Sequence, residues 1–479
     1  MSRILMVTPE AAPFAKTGGL ADVLGALPQA LAALGEDVAV VMPRYRSAII
    51  RNSERIWHSM PVTLGPNNYM VAIDQVIVQV IVGNSAKGSV RYLFVDCPVL
   101  YGRSGIYGDH ATDFPDNHLR FGVLTMAAIN IARDIFRPDV FHGHDWPSGL
   151  LGPFLHEVLK TDPTFFGSKL VLTLHNVGYQ GNFPAAFAVD LGLDPRLMHS
   201  EGLEFWGRLS FLKSGIVWAD AITTVSPTYA REIQTPEYGY GLEGLLRQRA
   251  SRVHGILNGA DYEEWNPEID PHIAVKFSAA NLSGKARVKQ ALLEEFNLPA
   301  DVSRPIIGIV SRFVHQKGFD LLFPIAAELA ATEDFTLVAL GSGEPRIEEN
   351  FHQLARAHPS HFAVEIGYDH GLSHRIIAGS DMFLMPSLYE PCGLGQIYAL
   401  RYGSVPIVRA TGGLDDTVDE SVGFKFASYT PEDLLAAIRS ALAAWNNQEL
   451  WKERMQRGMR KDFSWDASAL EYQKLYRSL

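Results

Sequence analysis

Residues 4–42 read ILMVTPEAAPFAKTGGLADVLGALPQALAALGEDVAVVM, and the spacing of apolar residues within them decides the fold. Residues 4–7 are an unbroken apolar run, the pattern of a strand buried on both faces. The Gly18-Gly19 pair follows, and Leu20, Val23, Leu24, Leu27, Leu31 and Leu34 then recur at helical spacing until Gly35. Residues 37–42 restore the apolar run. Strand, glycine loop, helix and strand make a crossover unit of a length that joins parallel neighbours. Further strands are expected at residues 76–82, 90–95, 140–142, 170–174 and 221–225, with helical segments between several of them. The first half therefore reads as a doubly wound α/β sheet.

A loop-like stretch rich in Asn, Gly and Pro, ILNGADYEEWNP at residues 256–267, separates this half from a second alternation. Strands are expected there at residues 306–310, 335–340, 362–366, 382–385 and 405–408, and helices at 320–331, 345–357, 374–378 and 393–402. The expected domains span residues 1–250 and 251–457, with a C-terminal helix over about 458–479 packing back on the first. Phe463, Trp465, Leu470, Tyr472 and Leu475 form that helix's apolar stripe, which suits core packing. Thr-Gly-Gly-Leu-x-Asp occurs at Thr17 and again at Thr411, each time between a strand and a helix. Such a pair either lets a backbone approach a phosphate at a helix start or merely permits a turn, and spacing alone leaves both readings open.

The composition narrows the class of function. The chain has 479 residues, of which 47% are hydrophobic and 20% charged, enough apolar material for large cores and too little charge for disorder. The net charge of -11, with no long basic run, argues against nucleic-acid or anionic-membrane surfaces. Cys97 and Cys392 are the only cysteines, lacking metal-ligand spacing, which fits a reducing cytosol. The apolar run before Thr8 is too short for a secretory core, so a cytoplasmic chain is expected.

Three motifs carry candidate chemistry. In SRFVHQKGFD, Arg312 and Lys317 follow an expected strand, where a planar fork and a long point charge can both reach a phosphate pair. In LMPSLYEPCGLGQ, Glu390 precedes Gly393, Leu394 and Gly395 at a helix start; it can hydrogen-bond a sugar, stabilise positive charge at an anomeric carbon, or simply cap the helix. In HGHDW, His142, His144 and Asp145 invite a metal reading, but a lone histidine pair makes a poor closed site, and a hydrogen-bonded cleft wall or core is the favoured role.

In order along the chain, KTGGLADV, HGHDW, HNVGYQG, HGILNGADYEEWNP, SRFVHQKG, PSLYEPCGLGQ and TGGLDDTV resemble the bacterial glycogen synthases and plant starch synthases. The resemblance spans the whole chain. It implies a GT-B architecture of two facing Rossmann-like domains with a deep cleft, and retaining transfer of glucose from ADP-glucose to the non-reducing end of an α-1,4-glucan, with no metal and no other cofactor. It further implies that Lys16, Gly18 and Gly19 contact the donor diphosphate from the amino-terminal domain, while Arg312 and Lys317 neutralise the leaving group. Glu390 matches the glutamate near the donor glucose, and Cys392, Gly393, Leu394 and Gly395 the loop around sugar and phosphates. His175 resembles the histidine beside the reacting carbon, Asp145 and Asn258 match polar cleft positions, and Tyr368 resembles the aromatic that stacks on adenine.

The chain departs from the family pattern at Leu388-Tyr389, where Arg-Phe is expected, and at Gly395, where Thr or Asn is expected. These departures keep open the reading of a catalytically weak nucleotide-sugar binding protein, and a retaining glucosyltransferase of the same fold that makes a small glucoside of the sucrose or trehalose type is a further alternative. UDP-glucose stays the alternative donor.

Overall fold

The computed structural model describes residues 1–83, 85–109 and 112–479. The chain divides into two compact units, one made of Met1–Val225, Ala230–Gly259 and Trp465–Leu479, the other of Ser226–Tyr229 and Ala260–Ser464.

The first unit is built on a nine-stranded sheet. From edge to edge its strands are Val253–Gly255, Ala221–Thr224, Lys169–Leu174, Val140–His144, Arg3–Val7, Asp37–Pro43, Ser85–Asp96, Asn67–Val82 and Glu54–Leu64. The sheet is parallel from Val253–Gly255 through Ser85–Asp96 and antiparallel in its last two pairings. Ile4, Leu5, Met6 and Val7 are fully buried, as a central strand covered on both faces requires. The winding reverses between Arg3–Val7 and Val140–His144, which pair directly although chain order separates them. Such a topological switch leaves a crevice at the carboxyl ends of the two strands, where doubly wound sheets bind ligands. Glu10 to Gly19 and Asp145 leave the sheet at those two ends.

The second unit repeats the winding with six parallel strands in the order Phe362–Ile366, Thr336–Gly341, Ile306–Val310, Met382–Met385, Val405–Arg409 and Phe424–Phe426. In chain order this is 3-2-1-4-5-6, the Rossmann arrangement. Its switch lies between Ile306–Val310 and Met382–Met385, whose carboxyl ends lead into the Arg312–Lys317 loop and the Glu390 loop.

Several elements differ from their sequence expectation. Residues 76–82 belong to a longer antiparallel strand, Asn67–Val82, whose partner Glu54–Leu64 has no apolar run to betray it. The helix expected over 320–331 begins as two 3₁₀ turns, Phe319–Leu321 and Phe323–Ile325, because Pro324 cannot donate an N–H; only Ala326–Thr332 is α-helical. The helix returning to the first unit is Trp465–Ser478, distinct from Gln448–Met459 before it. On it Trp465, Tyr472 and Leu475 are buried as expected, but Leu470 is exposed and Tyr476 takes the inner position instead. No helix of the described residues is long and apolar enough to cross a membrane.

Candidate active site

In the second unit the two switch-point loops are laced together. Leu388 N–H donates to the Gln316 carbonyl at 2.9 Å, and Gln316 Nε2 donates to the Tyr389 carbonyl at 3.2 Å. Gly318 allows this approach: its φ is +72°, and a Cβ would lie 2.0 Å from the Pro386 carbonyl oxygen. The result is a direct ion pair, with Lys317 Nζ 2.6 Å from Glu390 Oε2. Ser387 Oγ donates to the same oxygen at 3.0 Å. The pair is largely shielded, with 15% and 8% of the two side chains exposed. Arg312, on the same loop as Lys317, is exposed, and its guanidinium has no ion-pair partner among the described residues.

The turn after Glu390 is held from beneath. Gln396, fully buried, donates through Nε2 to the carbonyls of Cys392 and Gly393 at 3.0 Å and to Thr417 Oγ1 at 3.1 Å. Gly393 has φ +70°, and Leu394 leads into the helix Gly395–Arg401. The second Thr-Gly-Gly stretch packs against this turn: Gly413 N–H donates to the Glu390 carbonyl at 3.1 Å, and Cβ atoms at Gly412 and Gly413 would meet the Glu390 and Cys392 carbonyl oxygens at 1.9 and 2.1 Å. Tyr368, after Phe362–Ile366, is 86% exposed and so is not a core residue.

The first Thr-Gly-Gly stretch is shaped otherwise. Buried Glu10 accepts the Thr17 N–H at 2.6 Å, the Gly18 N–H at 3.3 Å and the Tyr107 hydroxyl at 2.9 Å, which fixes the loop that enters the helix Gly19–Ala33. Gly18 is extended, with φ −153°, and a Cβ on Gly18 or Gly19 would meet nothing within 4 Å. Neither glycine is demanded by its turn; the space in front of both is open. Lys16 Nζ pairs with Asp22 at 2.6 Å in an exposed position.

Asp145 ends Val140–His144 with φ +54°, a left-handed conformation rare outside glycine. Its Oδ1 accepts the His175 N–H at 2.7 Å. Burial, with a contribution from the Glu10 charge, pushes its carboxyl up to about 7. His175 Nε2 lies 3.1 Å from His144 Nδ1, while His142 uses both ring nitrogens, on Thr173 Oγ1 at 2.6 Å and on the Tyr476 hydroxyl at 2.8 Å. Burial pulls His142 and His175 down to about 3 and His144 well below its usual value, so all three are neutral near pH 7. Asn258 is buried, and its Oδ1 meets no partner among the described residues.

Thus Asp145 and His175 come together in the first unit beside a glycine loop, and Lys317, Glu390 and the Cys392–Gly395 turn come together in the second. Asn258 and Tyr368 stand apart, with no hydrogen bond to another candidate residue. Glu10, Ser387 and Gln396 are not singled out by the sequence. Each lies within a few residues of a motif, and its role depends on side-chain direction that spacing does not encode.

Comparison with known proteins matches residues 3–248 to the starch synthase catalytic domain and residues 293–458 to the glycosyl transferases of group 1. The glycogen synthase of Koribacter versatilis is 47% identical over 99% of this chain and 97% of its own length. The chain belongs to the glycogen and starch synthase family. The glycogen synthase of Myxococcus xanthus is likewise 47% identical, over 99% of each chain. The catalytic domain of starch synthase IV from Arabidopsis thaliana, solved with ADP and acarbose bound, superposes with a TM-score of 0.87 at 31% identity, covering 100% of this chain and 99% of that one. A sucrose-phosphate synthase from Thermosynechococcus elongatus shares the fold, with a TM-score of 0.58 at 19% identity over 100% of this chain and 99% of its own. Membership in the glycogen and starch synthase family establishes a glucosyltransferase of GT-B fold. At Gly395 a Cβ would lie 3.1 Å from Phe383 Cε1, tighter than side chains ordinarily pack, and in ordinary contact with Met385 Sδ at 3.4 Å, so a larger residue there requires the Phe383 ring to give way.

Proposed function

We propose that this chain is a glycogen synthase that transfers glucose from ADP-glucose to the non-reducing end of an α-1,4-glucan, with retention and without a metal in the chemical step. The observation that carries the reading is the Lys317–Glu390 pair at 2.6 Å beside the unpaired Arg312, at the switch point of a Rossmann sheet. As the anomeric carbon loses its bond to the diphosphate, negative charge grows on the departing phosphate. Arg312, Lys317 and the backbone N–H groups of the Gly393–Gly395 turn are suited to meet it, and charge-stabilising donors act most strongly there. In the first unit, the open face of Gly18 and Gly19, at the head of a 15-residue helix, offers N–H groups suited to a phosphate.

Lys317 and Ser387 both engage Glu390 Oε2, and a carboxylate oxygen so engaged is a poor nucleophile. This favours same-face attack, in which the leaving phosphate accepts the acceptor's proton, over a glycosyl-enzyme on Glu390. Glu390 then hydrogen-bonds the donor sugar and balances charge at its carbon. Neutral His175 contributes hydrogen bonding without adding charge. Exposed Tyr368 is available to stack on the adenine.

The test is transfer of labelled glucose from ADP-glucose, and separately from UDP-glucose, onto glycogen and onto small acceptors, with and without chelator, for wild type and Glu390→Gln. The expected result is glucan extension from ADP-glucose that survives the chelator and falls in Glu390→Gln. Transfer only to a small acceptor, or donor binding without transfer, overturns the reading.

A further inference from the structure

The geometry points to a transition-metal site of the zinc class in the second unit, formed by His272, His370 and His374, with Glu264 as a fourth donor. The nitrogen donors of the three histidines all lie within 4.8 Å of one another. His370 and His374 are four residues apart on the helix His370–Gly379, a spacing that puts both rings on one face, and His272 comes from the long connection between Val253–Gly255 and the helix Ser283–Glu295.

What separates this cluster from three adjacent histidines is the state of His374. It is fully buried, and its Nδ1 is 2.8 Å from Asp270 Oδ2, itself fully buried. Paired with a carboxylate, Nδ1 carries the proton, so Nε2 presents a lone pair. That Nε2 is buried and has no hydrogen-bond partner among the described residues. A histidine with one nitrogen held by a carboxylate and the other buried without a partner, beside two further imidazoles, has the arrangement of a metal ligand with its supporting carboxylate.

The surroundings fix the ring further. Trp265 stacks on His374 at 3.7 Å between centroids and 10° between planes, and Tyr398 covers the opposite side of Trp265 at 4.1 Å and 5°. Asp270 also accepts the backbone N–H of His272 at 2.7 Å through Oδ1 and the Tyr402 hydroxyl at 2.5 Å through Oδ2, so the carboxylate that holds the His374 ring also anchors the main chain that carries His272. Glu264 Oε1 lies 3.0 Å from His370 Nε2, placing an oxygen donor at the edge of the set. Bonds of about 2.0–2.1 Å to a tetrahedral ion put donor nitrogens roughly 3.3 Å apart. Rotation of His272 and His370, neither fully buried, brings them in while His374 stays fixed. Imidazoles with one carboxylate, and no thiolate, select Zn²⁺ over Mg²⁺ or Ca²⁺. Tyr398 lies on the helix Gly395–Arg401, so an ion here braces the element that follows the Glu390 turn without touching the reacting groups.

The probe is Zn²⁺ alone, titrated by calorimetry into untagged, chelator-treated full chain, with Co²⁺ absorption as a reporter of geometry. One equivalent should bind, Co²⁺ should show the intense visible bands of a tetrahedral N/O site, and Zn²⁺ should raise the melting temperature. His272→Gln and His370→Gln change partly exposed residues and should leave the apo melt in place while weakening Zn²⁺ binding by at least about 10-fold, with Asp270→Asn weakening it by roughly 10- to 100-fold. Absence of stoichiometric binding by wild type, or binding that persists in the His272→Gln/His370→Gln double variant, overturns the site. Glucose transfer need not change in either case, which keeps this test separate from that of the proposed function.

Discussion

Lys317 and Glu390 hold each other at 2.6 Å with little solvent access, so removing either has two separable effects. Lys317→Met should lower kcat roughly 100- to 1000-fold if the lost cation acts as an oxyanion donor does, and Glu390→Gln should lower kcat by removing the charge that balances the anomeric carbon. Each should also lower the melting temperature, because the surviving charge is left shielded and unpaired. The double variant Lys317→Met/Glu390→Gln should melt above both single variants while remaining as inactive, which steady-state kinetics and calorimetry on the four proteins will read. The titratable groups of the first unit give a second prediction. His142 and His175 have folded values near 3, below their unfolded value, so their stabilisation is present above about pH 6.5 and is lost as pH falls toward 3. Asp145 runs the other way: raised to about 7, it favours the folded state at low pH and loses that contribution as pH rises from about 4 to 7. Asp145→Asn should therefore stabilise the protein more at pH 8 than at pH 5, and His142→Gln should flatten the loss of stability on the acid side, both measured by thermal melts across pH.

At the scale of elements, the repeated Thr-Gly-Gly stretch shows how far a motif can be read without coordinates. Both copies sit between strand and helix, as the apolar spacing indicates, yet they do different work. Gly18 has open space where Gly413 has the Cys392 carbonyl at 2.1 Å from any Cβ. Gly18→Ala should leave the melting temperature unchanged and raise KM for the nucleotide sugar, whereas Gly413→Ala should destabilise the fold whatever ligand is present. The parallel strands were legible because burial on both faces leaves continuous apolar runs. Glu54–Leu64 was not, since an edge strand alternates and carries charge, and the 320–331 helix failed at Pro324, where one missing N–H outweighs a good apolar pattern. Within the site, Lys317 and Glu390 lie 73 positions apart and their contact follows from the switch point, which the strand order fixes. Glu10, Ser387 and the His370/His374 pair were visible as residues, but their partners are set by tertiary packing.

For the whole molecule, the helix Trp465–Ser478 completes the first unit after the second has been threaded through the chain. Its Tyr476 hydroxyl reaches His142, its Gln473 Nε2 donates to buried Glu36 at 2.8 Å, and its Ser468 Oγ donates to the Leu257 carbonyl at 2.6 Å. Deleting residues 465–479 should strip these polar anchors, the Arg477–Glu36 ion pair and the Tyr472 packing from the first unit while leaving the six-stranded sheet of the second intact. Hydrogen exchange on the truncated chain should show protection lost in the nine-stranded sheet and retained in the other.

The same threading orders events during synthesis. Domains usually fold as they emerge from the ribosome, amino-terminal first. Here the amino-terminal sheet lacks the Gln473 and Tyr476 partners of Glu36 and His142 until Trp465–Ser478 has left the exit tunnel, whereas Ala260–Ser464 can close beforehand. A nascent chain stalled before Trp465 would hold a finished carboxyl-terminal unit and an unfinished amino-terminal one, and chaperones would meet the early half of this protein late.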